Sequence, residues 1–422
     1  MAALKKHVTL LLILSLLLSV ALASCKHKDE EEQDPNDDPP VGEVDPDPVE
    51  PDPEPDPEPE GYVYTYYEWP EDQLVPYNGI VEHLFFHQVI AYPEQAFHSD
   101  NTKGFDDWMV TISELNKILD SLYERGYILV NMNDVWSEYT NADGQQRMQK
   151  NTLMLPAGRK PLVISIDDTN YYESYIGRGF MEKLIIGDDG EIWAYGHDPQ
   201  GNEVISQDLD IITIFDKFIK EHPDFTMNGA KACLSLTGYE GIFGYRTNTD
   251  SHGLTPEQEA HRLEEIEAVK PIVEQLKATG WYFGCHTWGH IRLSSTRYDV
   301  AAVSRDLDRW FSDVGDIVGP TTLFFYPHGA RPDPSSAYPD GNDWQQTGAV
   351  FRYIQSRGFR VFASVGVESF SYVKNDISAV ICDRLHPDGT TLRWKWKQYE
   401  QFYDSAEVFD YENRPDLGYD FG

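Results

Sequence analysis

The sequence predicts an α/β fold built on parallel strands. Short apolar runs alternate with helical segments from about residue 80 onward, and no internal repeat breaks the alternation. Charged and imidazole side chains also gather just behind several apolar runs. "HLFFHQV" (83–89) reads as the first strand, followed by an amphipathic helix over 106–126 that a glycine closes, then a strand at "YILVNM" (127–132). "PLVISI" (161–166) is the next strand. A hairpin-like insertion follows over 182–205, with turn signals at Asp-Gly and Gly-Asn. The alternation resumes with a helix over 210–222, a strand over 230–237 and a longer helix over 255–280 that Pro271 should bend or break. Strands at 281–285, 321–325, 359–365 and 378–383 complete the series, with helical segments around 298–313 and 343–357. This pattern fits either a doubly wound sheet or a barrel.

The 422 residues, 41% hydrophobic, suffice for one large or two medium domains. The formal charge of -37 is uneven, since residues 29–60 hold 16 Asp or Glu and no Lys or Arg. Even beyond residue 60 there are 55 acidic residues against 30 basic, which argues against a nucleic-acid partner.

Lys5 and Lys6 precede the apolar run "VTLLLILSLLLSVALA", the order of a secretory signal. Its end, Leu22-Ala23-Ser24-Cys25, resembles the lipobox of bacterial lipoproteins. That resemblance implies a signal peptide over 1–24, lipidation at Cys25 and a membrane anchor outside the cytoplasm. "CKHKDEEE" resembles the acidic signals that send some lipoproteins to the outer surface. Residues 25–60 read as an acidic, Pro-rich tether with little apolar surface to bury. In polyproline II some 35 residues reach roughly 100 Å, holding the domain over 61–422 away from the lipid. Cys233, Cys285 and Cys382 lie in or beside apolar segments without CxxC spacing, so buried thiols are expected and one disulfide is possible.

In barrels of parallel strands, functional residues collect at the C-terminal strand ends. Asp167 and Asp168 end one strand; His87, His286, "YPHG" (326–329) and His386 fall at or behind others. His286 and His290 are four residues apart, a spacing that puts both imidazoles on one face of a helical turn. Two histidines, one carboxylate and an open position suit a catalytic divalent ion, zinc first, with cobalt or manganese as alternatives.

"SIDDTN", "HTWGH" and "YPHG", in this order, resemble the motifs of polysaccharide deacetylases, the NodB-homology domain of carbohydrate esterase family 4. The resemblance spans about residues 80–390. It implies a distorted (β/α) barrel of about seven parallel strands, here with a β-hairpin insertion. It also implies a metal-dependent hydrolase that removes N- or O-acetyl groups from an extracellular or cell-envelope polysaccharide. Carried over, Asp168, His286 and His290 hold the ion and Asp167 is the general base, while His386 of "RLHPDG" protonates the leaving group. Tyr326, Pro327, His328, Tyr172 and Trp288 are the candidate substrate contacts, and Thr287 orients a ligand or caps the turn. The chain departs from the pattern in four ways. Thr169 stands where a glycine is usual, Phe325 stands where an arginine should position the base, His328 stands where a tyrosine is usual, and no fourth motif is evident. Arg331 and Arg384 are the candidate replacements for the arginine. Two other readings remain: a glycan-binding lipoprotein without turnover, and a glycoside hydrolase, which adjacent Asp167 and Asp168 disfavour.

Overall fold

The structure is a computed structural model that describes residues 64–250, 252–295, 297–332 and 348–421. The expected signal peptide, Cys25 and the tether lie outside the described residues. Among the described residues no helix is long and apolar enough to cross a membrane.

Eight parallel strands make the central sheet: β1 (Glu82–Phe86), β2 (Tyr127–Leu129), β3 (Lys160–Asp167), β4 (Cys233–Leu236), β5 (Tyr282–Cys285), β6 (Leu323–Phe325), β7 (Val361–Val365) and β9 (Ala379–Arg384). An antiparallel strand, β8 (Phe370–Lys374), pairs with β9. The order runs β8-β9-β7-β6-β5-β4-β3-β1, and β2 pairs only with the first residues of β3. Two backbone hydrogen bonds close the ring, from Phe85 to the carbonyl of Leu385 and from Leu385 to that of His83. The result is a barrel, distorted because β8 covers most of one side of β9 and leaves β1 only its end. The doubly wound alternative is thereby set aside.

Strand alternation splits the apolar residues into two layers. Val163, Cys233, Tyr282, Leu323, Phe325, Val361, Ala363, Val380 and Cys382 form one core, inside the barrel. Their neighbours Ile164, Leu234, Phe283, Phe324, Phe362 and Ile381 form another, against the surrounding helices. Cys233, Cys285 and Cys382 are buried free thiols.

Helices α1 (Thr102–Trp108) and α2 (Ile112–Glu124) replace the single helix expected over 106–126. A capping box explains the break: the Thr111 hydroxyl accepts from the Glu114 amide, and the Glu114 carboxylate accepts from the Thr111 amide. Pro271 does not break α4 (Pro256–Ala278), which follows α3 (Ile211–Glu221) and runs as one helix. The insertion is a three-stranded antiparallel sheet, Lys183–Ile186, Ile192–His197 and Glu203–Ser206. Helices α5 (Val300–Trp310), α6 (Ala349–Ser356) and α7 (Gly389–Trp394) follow.

Candidate metal centre and active site

The residues that end β3, β5, β6 and β9 meet at the C-terminal rim. Donor atoms of Asp168, His286 and His290 all lie within 4.8 Å of one another. The Nε2 of His290 is 3.6 Å from Asp168 Oδ2. His286 Nδ1 lies 2.9 Å from the carbonyl of Phe325, which can only accept, so Nδ1 carries the proton and Nε2 faces the site as a free donor. That tautomer and the mixed nitrogen and oxygen donor set fit a divalent ion of the zinc type.

The expected helical turn over 286–290 is instead a loop. Thr287 and His290 take φ values of 60° and 48°, which no α-helix tolerates. The imidazoles still meet, with ring centroids 5.0 Å apart, because the loop is tied down. Asp306 on α5 accepts from the amides of Trp288 and Gly289, each at 2.8 Å, and burial pushes its carboxyl up to about 6. The Thr287 hydroxyl accepts from the Ile291 amide at 3.1 Å, so this side chain caps the turn. Five of the eight non-glycine residues with positive φ among the described residues lie in these rim loops: Asp168, Tyr171, Thr287, His290 and His328. For β-branched Thr287 in particular, that conformation persists only where the surroundings impose it.

Asp167 and Asp168 differ in their partners. Asp168 leaves the strand at φ 61°, and its Oδ1 accepts from Tyr172 Oη at 2.9 Å. Asp167 points into the barrel, 2% exposed, where Arg384 grips it through Nη1 to Oδ1 at 2.7 Å and Nη2 to Oδ2 at 2.9 Å. Burial alone would raise the Asp167 carboxyl, yet Arg384, then His286, hold it well below the usual range. The guanidinium also donates to Ser165 Oγ and to the carbonyl of Ser364, and lies 4.1 Å from the Phe85 ring centre and 4.8 Å from that of Phe325. The arginine missing at Phe325 is thus supplied from β9, over the Phe325 ring. Arg331 pairs with Asp383 instead. Strand parity held the signal, because Val380 and Cys382 face the lumen and Arg384 is the next residue of that face.

His386 stacks on Phe85 at 4.2 Å, with Asp388 Oδ2 2.9 Å from its Nδ1. The other oxygen of Asp388 accepts from the Thr391 amide and caps α7, which fixes the carboxylate against the ring. His386 Nε2 lies 3.0 Å from His87 Nδ1, which also faces the carbonyl of Trp108 at 3.2 Å. A carbonyl only accepts, so His87 Nδ1 is protonated and His386 Nε2 accepts from it. His87 Nε2, left bare, points at Asp168 Oδ2, 3.9 Å away. Burial, then His386, pushes the imidazole of His87 down to about 4, so it is neutral at pH 7.

The expected substrate contacts fare unevenly. Tyr326 is 2% exposed and packs in the core beside Phe362, and Pro327 is buried beside it, so neither presents a face to a ligand. His328 is exposed, 4.3 Å from the His290 ring. Tyr172 is buried and spends its hydroxyl on Asp168. Trp288 donates to Asp313, and the guanidinium of Arg309 covers its ring at 3.3 Å. Thr169, where a glycine was expected, is fully buried, and Asn170 beside it ties the loop to Thr237 and Gly241.

Fold and site together define a parallel (β/α) barrel with a two-histidine, one-carboxylate centre at its C-terminal rim, beside an arginine-clamped carboxylate. No family model and no curated protein matches the chain. Among solved structures it is similar to the deacetylase PplD of Streptococcus pyogenes in complex with acetate, at 13% identity over 75% of this chain and 95% of that one, with a TM-score of 0.38. It is also similar to a polysaccharide deacetylase from Bacillus cereus, at 13% identity over 77% and 69% of the two chains, with a TM-score of 0.38. Likeness at that level carries no residue role from those proteins to this chain.

Proposed function

We propose that this protein is a metal-dependent deacetylase acting on an acetylated carbohydrate polymer or oligosaccharide, anchored outside the cytoplasm through lipid at Cys25. The observation that carries the reading is the convergence of three donor side chains, Asp168, His286 and His290, beside a buried carboxylate and a His-Asp pair. Asp168, His286 and His290 would hold the ion, zinc first, which supplies Lewis acidity toward water and an acyl carbonyl.

The chain's own groups account for the proton movements of acyl hydrolysis. Arg384 fixes Asp167 in one orientation and keeps it ionised, the form that can take a proton from water. His386 Nε2 is an acceptor at rest; once protonated there it must release His87, and it then has a proton to give to the departing amine or alcohol as the C–N or C–O bond breaks. The carboxylate of Asp388 stabilises that imidazolium. The binding-only alternative rests on the missing arginine and the absent fourth motif; Arg384 beside Asp167 answers the first of these.

The test is acetate release by the full-length protein with zinc, cobalt or manganese against a panel of N- and O-acetylated glycans, together with Asp167→Asn and His286→Ala. Release that needs the ion and both side chains is expected. His286→Ala should weaken zinc binding, measured by calorimetry, by more than the roughly 10–100-fold typical of an outer-shell partner. Tight zinc binding with no acetate released from any glycan would end the hydrolase reading.

A further inference from the structure

We propose that Trp108 is the aromatic platform on which the sugar ring bearing the departing group rests. This rests on the carbohydrate deacetylase reading only for the identity of the ligand. Trp108 ends α1 and is 56% exposed, an unusual state for so large an apolar surface. Its ring lies parallel to that of His386, within 7°, with centroids 6.4 Å apart. His386 also stacks on buried Phe85, with centroids 4.2 Å apart, so the catalytic-side imidazole and the exposed indole are held nearly parallel.

The indole is open while its backbone is held on several sides. The Trp108 carbonyl faces His87 Nδ1 at 3.2 Å and accepts a hydrogen bond from it. Two residues earlier, Asp106 is 1% exposed and accepts from Arg393 and Arg414, each at 2.8 Å. Arg414 also donates to the carbonyls of Asp106 and Met109 and to Glu114 of the capping box that ends the loop behind Trp108. Thr390 on α7 donates to the carbonyl of Asp107. A buried ion network therefore fixes the residues on either side of an exposed ring, so little ordering entropy is left for a ligand to overcome. Other rim aromatics are already engaged, Tyr172 with Asp168 and Trp288 with Arg309 and Asp313.

An indole that is more than half exposed and lies parallel to the His386 ring suits a flat-sided ligand with axial C–H groups on one side and hydroxyls at its edge. A pyranose meets that description. Trp108 neighbours His386 directly and Asp168 through His87, so a pyranose resting on it would carry its edge substituent close to those groups.

The experiment measures binding and turnover separately. Binding of an N-acetylglucosamine tetramer and of acetylated xylo-oligosaccharides to zinc-loaded Asp167→Asn protein is followed by calorimetry, with and without Trp108→Ala or Trp108→Phe. Trp108→Ala should weaken binding about tenfold and Trp108→Phe much less, as expected for one lost stacking contact. In the active protein Trp108→Ala should raise KM with kcat nearly unchanged, and zinc stoichiometry and Tm should not move. Binding within twofold of the parent, or no binding of either probe, overturns the platform. Trp108-dependent binding without acetate release in the active protein keeps the platform and removes the hydrolase reading.

Discussion

The rim has two sides, built in different ways. On one side Asp168, His286 and His290 come from two short stretches, each directly behind a strand, and the loop of His286 is held by Asp306 from the next helix. On the other, His87, Trp108, Arg384, His386 and Asp388 come from opposite ends of the domain, with His87 and His386 299 positions apart. The first side concentrates lone pairs of the kind an ion takes. The second concentrates the groups that, in the proposed hydrolysis, orient and carry protons. The comparison teaches that on this reading ion affinity and proton management are separable, and single substitutions should separate them.

The sharpest separation is expected from His386→Gln. On the proposed function this removes the general acid, so kcat should fall by about 10²–10⁴-fold while zinc affinity by calorimetry stays within twofold. A parallel loss of zinc would merge the two sides into one.

Arg384→Met should act next most strongly, on both stability and pH dependence. Removing one partner of a buried pair costs about 3–5 kcal/mol, read from urea unfolding. The acid limb of the rate profile should also shift. As the proposed base Asp167 must be ionised, and without the guanidinium burial raises its carboxyl, so activity should fall away at a higher pH than in the parent. Stability follows the same sign. In the parent the depressed carboxyl contributes stability above its ordinary 3.8 and loses it as pH drops through the lower folded value, a contribution the variant should lack. An unmoved acid limb would mean that Asp167 is not the group that titrates in catalysis.

Asp306→Ala probes the first side from behind. Freeing the Trp288 and Gly289 amides should loosen the strained His286–His290 loop and weaken zinc binding roughly 10–100-fold, with the pH profile of the remaining activity unchanged. A shifted profile would show that the two sides are coupled through the ion.

Much of the first side could be read directly from the chain. Apolar runs of four to eight residues declare parallel strands, and polar residues placed just behind them declare the rim, because a carboxylate at a strand end escapes the cost of the core. The four-residue spacing of His286 and His290 brought the right pair together for a wrong reason, since the loop is not helical and Asp306 and Thr287 set its path. Trp108 went unread because apolar periodicity runs through the break at 109–111, although Thr111 and Glu114 carried the capping signature that marks a new helix.

By itself, then, the sequence determined the strand and helix alternation and the placing of Asp168, His286 and His290 just behind strand ends, each of which depends on neighbours a few residues apart. Only the tertiary structure decided which arginine clamps Asp167, that His87 and His386 share a proton, and that Tyr326 belongs to the core. Those pairings join strands distant in the chain, and they are set by barrel closure and strand register, which bring β9 to β1.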